Sequence, residues 1–151
     1  DRGLWDRAAI GRGMQHLRAA MAGKQLTPLH LEAGIAACHA AADSIESTDW
    51  PAVLTYYDRL RSLAPSPVRA LNRIVALAMV DGPEAALAEL AALSEEPSLA
   101  SYYLLPATRG ELLRRAGRTG EARAAWQEAL SLAPAEPARR LIKSRLARLT
   151  A

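Results

Sequence analysis

The sequence predicts an all-α domain built as a right-handed solenoid of helical hairpins, with about eight helices. Half of its 151 residues are apolar, and most of these are alanine and leucine, which are strong helix formers. β-Branched residues are scattered rather than alternating, so a sheet has little support. Apolar residues recur at helical spacing in segments that repeat along the chain. One such hairpin cannot bury its apolar faces alone, so the pattern implies stacked neighbours.

Start and stop signals delimit the helices. Thr27, Asp49 and Thr119 are predicted N-caps, and the first two are each followed within two residues by a proline, which the first helical turn tolerates. Gly11 and Gly13 weaken the first pattern, because glycine inside a helix costs about 1 kcal/mol relative to alanine. Pro106 predicts either a kink or a later start of the sixth helix. The predicted helices span residues 4–22, 28–44, 50 to just before Pro65, two helices within 64–93 that break at 81–83, 99–116, 119 to just before Pro134, and 136–149.

We expect a single domain, since this length and apolar content suit one core. Its predicted organisation is an N-terminal helix and linker over residues 1–33, repeat-like units at about 34–66, 67–98 and 103–136, and a capping helix over 137–151. The chain begins without methionine, in what reads as the lead into a helix. We therefore expect a piece of a longer protein.

Composition bears on partners and location. The formal charge is +3, and five basic residues cluster near the end of the sequence. We interpret them as a solvated helix face, with nucleic-acid contact as the alternative, because no aromatic residues are interleaved. The single cysteine, Cys38, cannot form an internal disulfide, and no apolar run reaches the roughly 18 residues of a membrane span. The sequence therefore favours the cytoplasm and no membrane partner. The basic residues are Arg139, Arg140, Lys143, Arg145 and Arg148.

The clearest repeat lies between residues 103 and 136. Small, large, glycine, alanine, aromatic, alanine and proline residues occur there at offsets 0, 3, 7, 12, 16, 19 and 24: Gly110, Leu113, Gly117, Ala122, Trp126, Ala129 and Pro134. This pattern resembles the tetratricopeptide motif, in which small residues lie where two helices cross and an aromatic ring fills the gap beside them. Two degenerate copies precede it, and the key positions Val53, Ala86 and Ala122 are 33 and 36 residues apart. The resemblance implies a tetratricopeptide-like fold.

A second resemblance covers nearly the whole chain. The segments LHLEAGIAACHAAA (29–42) and STDWPAVLTYYDRLRSLAPSPVRALNRIVALAMVDGPEAALAEL (47–90) are similar to the C-terminal extension of one subgroup of bacterial extracytoplasmic-function sigma factors, the subgroup associated with DGPF/YCII-like proteins. The stretch APSPVRALNR with the following DGP is the most specific part. The family's polymerase-binding and promoter-reading domains have no counterpart in this sequence. DNA contacts are therefore expected only from those missing N-terminal domains.

The resemblance implies a regulatory, protein-interaction domain of a sigma factor that contributes to the control of transcription initiation. Expected partners are the factor's own sigma domains, RNA polymerase or a regulator. We expect no enzyme and no cofactor, because the sequence contains no nucleophile-elbow, zinc-protease or phosphate-loop motif. The alternative is a small-molecule sensor whose ligand lies in the groove of the solenoid near His39, Asn72 and Glu111. The oligomeric state stays open.

In tetratricopeptide folds the first helix of each hairpin lines the concave groove. His39, Asn72 and Thr108 take the same position in three such helices by the repeat overlay. An amide in the apolar run RALNRIVALAM needs hydrogen-bond partners. Asn72 either holds a partner's backbone or satisfies a neighbouring loop or helix end, and we slightly favour the second interpretation. The groove candidates are His39, Asn72, Met79, Thr108, Glu111 and Arg115.

A metal site has little support. His30 and His39 are nine residues apart, on oblique faces of one predicted helix, and Cys38 adjoins the second. Zinc usually takes four ligands at short paired spacings, and no such pair occurs. We expect no metal.

Overall fold

The structure, a computed structural model, describes residues 2–23 and 25–149, and over that range it is all-α with no strand. Single 3-10 turns occupy Arg2–Leu4 and Pro97–Leu99. The predicted all-α class and the helix count are confirmed; the right-handed stacking of hairpins stays a prediction. The eight α-helices of the described range are α1 (Arg7–Met21), α2 (Pro28–Ala41), α3 (Trp50–Leu63), α4 (Pro67–Val80), α5 (Pro83–Leu93), α6 (Leu104–Arg115), α7 (Thr119–Leu132) and α8 (Glu136–Arg148).

Several predicted boundaries are wrong by a few residues. Helix α2 ends at Ala41 rather than near residue 44. Helix α6 begins at Leu104 rather than at residue 99, so Pro106 lies in its first turn, where the missing N–H of proline costs no intrahelical hydrogen bond. Thr119 is the first residue of α7 and not its cap, because Arg118 occupies the cap position. The two glycines of α1 do not interrupt that helix.

The chain divides into two compact units, with the boundary inside α4 between Ala76 and Leu77. The first unit contains α1, α2, α3 and most of α4, and the second contains the end of α4 and helices α5 to α8. The predicted repeat-like units and the single domain stay predictions.

The core of the first unit lies between α2, α3 and α4. Leu31 and Ile35 of α2 pack with Val53 and Leu60 of α3 and with Ala76 of α4, and all five are buried. Their spacings of four and seven residues place each set on one face of its helix. Helix α1 packs against α2, and none of its residues is fully buried.

Two arginines near the start of the chain bind the end of α2. Arg2 donates to the carbonyl oxygens of Ala42 and Ser44 at 3.1 and 2.6 Å. Arg7 binds the Asp43 carboxylate at 2.7 Å. The last carbonyl groups of a helix lack intrahelical donors and carry partial negative charge, so guanidinium groups stabilise this end. These contacts attach the N-terminal segment to the α2–α3 loop.

The second unit is centred on the α6–α7 pair. Trp126 of α7 is 1% exposed, and its indole N–H donates to the carbonyl oxygen of Ala107 at 3.2 Å. Its ring lies on Gly110 so closely that a Cβ added there would be 2.4 Å from the ring Cδ1. Ala129 and Ile142 complete this cluster. The close crossing that the tetratricopeptide resemblance predicts for Gly110 and Trp126 is therefore present.

Gly117 ends α6 in the way its motif position predicts. Its φ of 76° is left-handed, a conformation that glycine adopts without steric cost. The Arg118 N–H donates to Leu113 O at 2.9 Å and the Gly117 N–H to Arg114 O at 3.1 Å. These two bonds form a Schellman motif and satisfy two terminal carbonyl groups of the helix.

Among the helices described, none has the length and apolar character that crossing a bilayer requires.

Candidate functional site

The six groove candidates lie on the first helices of the hairpins, as predicted, but in different units. His39 on α2 and Asn72 on α4 belong to the first unit. Met79, Thr108, Glu111 and Arg115 belong to the second. Within the second unit the structure brings Arg115 to Met79, and it joins Glu111 to arginines outside the predicted set.

Asn72 lies in the middle of an exposed stripe on α4. Val68 and Val75 flank it at i−4 and i+3, so the three side chains share one helix face. Both valines are 39% exposed, and Asn72 itself is exposed. Ala76, one residue beyond the stripe, is buried in the α2–α3 core. The stripe is thus a solvent-accessible apolar surface with an amide at its centre. Its helix is held to the core through Ala76.

The amide of Asn72 makes no side-chain hydrogen bond to any residue in the described part of the chain. Its expected burial in a helix interface is wrong, and so is the interpretation that it satisfies a loop or helix end within that part. The side chain at an exposed helix position reaches solvent instead. Its carbonyl oxygen can accept from an external donor, and its two N–H groups can donate to external acceptors.

His39 is engaged with the α2–α3 loop rather than with a groove. Its ring lies edge-on to Trp50, with centroids 5.3 Å apart and an interplanar angle of 73°. Trp50 is itself fixed by an indole hydrogen bond to Ile45 O at 2.9 Å. Partial burial, and secondarily the charge of Arg2, lower the pKa of His39 below its ordinary value. His39 is therefore a half-buried, preferentially neutral packing residue.

Glu111 is held by two arginines. Its Oε1 accepts from Arg114 at 2.7 Å within the same helix, and its Oε2 accepts from Arg145 of α8 at 2.6 Å. The hydrogen bond that Arg114 donates to Glu111 raises the pKa of Arg114 above its ordinary value. A carboxylate saturated in this way links α6 to α8, which is a structural role.

The remaining candidates of the second unit contact one another or lie partly covered. One Arg115 guanidinium nitrogen lies 3.0 Å from the Met79 sulfur, and the other donates to Ala78 O at 3.2 Å. Arg115 therefore satisfies one carbonyl group in the last turn of α4. Thr108 is half-buried on α6. Of the six candidates, Asn72 is the one that is both exposed and without a side-chain hydrogen bond in the described residues.

Three of the five basic residues of α8 have intramolecular partners. Arg139 donates to Ala133 O at 3.3 Å, and Arg140 lies 3.6 Å from Glu136. Together with the Arg145 ion pair, these contacts favour the solvated-face interpretation over a nucleic-acid patch. Lys143 and Arg148 are exposed on the same helix.

A cleft of about 380 Å³ lies between α1, α2 and α3 in the first unit. Its walls are the apolar side chains of Met14, Leu17 and Met21 on α1, and its floor is the small-residue face of α2. The Cys38 thiol opens into it, and burial together with nearby Asp49 raises the pKa of that thiol. The small side chains of α2 leave this volume unfilled.

The glycine that shapes this cleft, Gly34, was not among the predicted site residues. A Cβ added to Gly34 would lie 2.8 Å from Cζ of Tyr56, so the tyrosine ring rests directly on the backbone of α2. The key position that the repeat pattern predicted in this hairpin was Val53. The available signal was a glycine inside a strongly predicted helix, which commonly marks a close packing approach.

No cluster of three histidine, cysteine or acidic residues within the described ranges is arranged to hold a metal ion. His30 has a different role, since its Nδ1 accepts from the Thr27 N–H at 3.2 Å and completes the cap of α2. That contact follows the logic of a capping box with histidine as the reciprocal partner.

Comparison with known proteins gives one informative similarity. The chain is 42% identical over 133 residues to an uncharacterized protein of Rhizobium meliloti (strain 1021). The match covers 88% of this chain but 31% of the relative, so the chain spans less than a third of that protein's length. No protein-family model matches the sequence. No solved structure matches it either.

Proposed function

We propose that this chain is the regulatory, protein-interaction domain of an extracytoplasmic-function sigma factor, tetratricopeptide-like in architecture. It contributes to transcription initiation control by binding the factor's own sigma domains, RNA polymerase or a regulator. The observation that carries the interaction role is the exposed amide of Asn72 between two exposed valines on α4. No catalytic step is required of it.

The stripe suits recognition of a peptide segment. An asparagine amide both donates and accepts, so it matches one peptide unit of a bound backbone. Val68 and Val75 offer apolar contact on either side of it, and burying them removes water from that hydrogen bond. Because α4 is anchored through Ala76, the stripe is presented rigidly and little ordering entropy is lost on binding.

Two sequence observations support the sigma-factor assignment. The stretch with the most specific resemblance to the sigma-factor extension, residues 64–73 with 81–83, includes Asn72 itself. The Rhizobium relative extends well beyond the matched region, which agrees with a domain carried by a longer chain. RNA polymerase acts in the bacterial cytoplasm, so we also assign the domain to that compartment. DNA contacts belong to the other domains of the factor.

The experiment uses the full-length factor in pull-down and transcription in vitro. Asn72→Ala and Val75→Asp are compared with Gln127→Ala, a control at an exposed position on α7. We expect both stripe variants to lose the partner captured by the parent and to change promoter output, while the control behaves like the parent. Unchanged capture and transcription in the Val75→Asp factor would refute the interaction role of the stripe.

A second candidate function is small-molecule sensing, and the cleft between α1, α2 and α3 favours it. The ligand of this alternative would lie against Met14, Leu17 and Tyr56 rather than in the groove near Glu111. An Ala41→Leu variant fills the cleft from an exposed position on α2. Compounds that raise the melting temperature of the parent but not of this variant would establish the sensor. If no compound in the library raises the melting temperature in this way, the sensor function is refuted.

A further inference from the structure

Helix α1 lies on the first unit without entering its core. Its apolar side chains share one face of the helix at spacings of three or four residues, and each of them is only partly buried: Ile10, Met14, Leu17 and Met21. None belongs to the buried cluster of α2, α3 and α4. Because hydrophobic stabilisation scales with the apolar area removed from water, α1 gains less of it than the core helices do.

The interface between α1 and α2 is also incompletely filled. A cavity of about 260 Å³ lies between the two helices, and Met14 and Leu17 line both this cavity and the larger cleft described above. On α2 the side chains that line the smaller cavity are alanines: Ala33, Ala36, Ala37 and Ala40. Side chains that border unfilled space lose dispersion contacts on that side, so the contact between α1 and α2 is weak for its length.

Two arginines hold the beginning of this segment. Arg7 donates to Ala40 O at 3.2 Å as well as to Asp43, and the side chains of Arg7 and Asp43 are 48% and 90% exposed. Arg2 donates to the α2–α3 loop, including the Thr48 hydroxyl at 3.2 Å. An exposed ion pair contributes little free energy and is screened by salt. The Arg7 pair therefore positions α1 but adds little to its stability.

Two glycines weaken α1 further. A Cβ added to Gly11 or Gly13 would meet no atom of a neighbouring helix within 4 Å, so packing requires neither glycine. Glycine is the least favourable residue in a helix interior apart from proline. Gly34 of α2 differs, because the Tyr56 ring occupies the space of its Cβ. Helix α1 therefore combines weak packing with a weak helical sequence.

We propose that residues 2–21 form a strap that opens as one unit while α2 and α3 stay folded. An element with few buried contacts opens at a lower free energy than the core beside it. Opening removes the α1 wall of the cleft and exposes the small-residue face of α2 beneath it. The strap thereby controls access to both. This opening does not depend on the interaction role of the Asn72 stripe.

Amide hydrogen exchange of the full chain, followed residue by residue by NMR, tests the strap. We expect the amides of residues 11–21 to share one protection factor, at least about 100-fold below those of Ile35 and Leu60 in the buried core. A common value indicates one opening event. Protection that falls steadily towards residue 7 would instead show fraying from the end of α1, and protection as high as that of the core would show that α1 opens only with its unit. Either result would overturn the strap.

Substitutions within the strap should change its protection in opposite directions. Arg7→Ala removes two contacts at the end of α2 and should lower the protection of residues 11–21 roughly several-fold. Gly13→Ala should raise it about fivefold, because alanine favours the helix and the added methyl group meets no neighbouring helix. Gly120→Ala is the matched control in α7, where a Cβ is equally unhindered, and it should leave residues 11–21 unchanged. Equal strap protection in the two glycine variants would refute the proposal.

A substitution in the core distinguishes opening of the strap from unfolding of the whole unit. Val53→Ala removes buried methyl groups and should lower the protection of Ile35 and Leu60 roughly tenfold or more. The same substitution should leave residues 11–21 unchanged, because their amides exchange through an opening in which the core stays intact. A parallel loss of protection in both sets of amides would contradict local opening.

Discussion

The α2–α3 and α6–α7 hairpins share one kind of packing contact but differ in how deeply it is buried. In each, an aromatic ring of the second helix lies on a glycine of the first: Tyr56 on Gly34, and Trp126 on Gly110. Trp126 is 1% exposed and its N–H is satisfied by Ala107 O. Tyr56 is half-buried and forms part of the wall of an open cleft.

The looser hairpin lies in the unit that contains the cleft. The α6–α7 pair follows the repeat pattern closely, and Glu111 and Arg115 of α6 contact neighbours of their own unit. The first unit follows the pattern loosely, and both the cleft and the exposed Asn72 stripe lie there. Regular packing leaves no unfilled volume, whereas departures from it leave cavities and unpaired faces.

Substitutions that remove the two rings should give the largest difference in stability between the hairpins. Trp126→Ala is expected to lower the free energy of unfolding by about 4 kcal/mol, because a buried ring leaves a cavity when it is truncated. Tyr56→Ala should cost less, about 1 kcal/mol, since that side chain is only partly buried and borders an open cleft. Urea unfolding followed by circular dichroism measures both. Equal losses would show that the α2–α3 hairpin is as closed as α6–α7.

Adding a methyl group at the two glycines is the reverse experiment. Gly110→Ala should lower the free energy of unfolding by about 2 kcal/mol, because the buried indole cannot move away from the new Cβ. Gly34→Ala should change it by less than about 0.5 kcal/mol, because Tyr56 can swing toward the cleft and alanine is the better helix former. The same urea titration applies. A Gly34→Ala loss as large as that of Gly110→Ala would contradict the idea that the tyrosine is free to move.

Substitutions of two polar groove candidates should change the free energy of unfolding by smaller and unequal amounts. Glu111→Gln removes a charge held between Arg114 and Arg145 and is expected to cost roughly 1 kcal/mol, the upper end for a partly exposed ion-pair network. Asn72→Ala should not destabilise the chain, because the amide has no partner among the described residues and alanine favours the helix. A marked loss of stability in Asn72→Ala would reveal a structural role for the amide.

The smallest expected effect is a pH dependence confined to the first unit, which contains all three histidines. The pKa of His39 is lower in the folded chain than its ordinary value of 6.5, so the unfolded chain binds more protons just below that pH. Its contribution to stability is complete above 6.5 and is lost as the pH falls through the folded pKa. Urea midpoints of the parent should therefore fall relative to those of His39→Gln as the solution is acidified. Parallel curves for the two proteins would contradict this.

Local sequence patterns predicted the helices and several of their ends correctly. Thr27 and Asp49 cap α2 and α3 as predicted, and Gly117 ends α6, since each signal acts through hydrogen bonds within a few residues. The start of α6 was missed because Pro106 fits either a kink or a first turn, and local sequence does not choose between them.

The candidate site was harder to anticipate. The repeat overlay placed His39, Asn72 and Thr108 on equivalent helical positions, and it treated them as equivalent in environment. The structure gives His39 an aromatic neighbour, leaves Asn72 in solvent and half-buries Thr108. Equivalent positions on successive helices contact different neighbours. The helical periodicity of the sequence does not predict which neighbours these are.

The sequence alone therefore determined the all-α class, the helix order, most caps and the close contact of Gly110 with Trp126. Those features depend on hydrogen bonding and side-chain size over short distances, or on one repeat motif with fixed offsets. The tertiary structure decided which polar side chains are free. Glu111 is neutralised by Arg145, 34 residues further along the chain, whereas Asn72 meets no partner in the described residues. Exposure and pairing are properties of what packs around a residue, and only the folded chain brings those groups together.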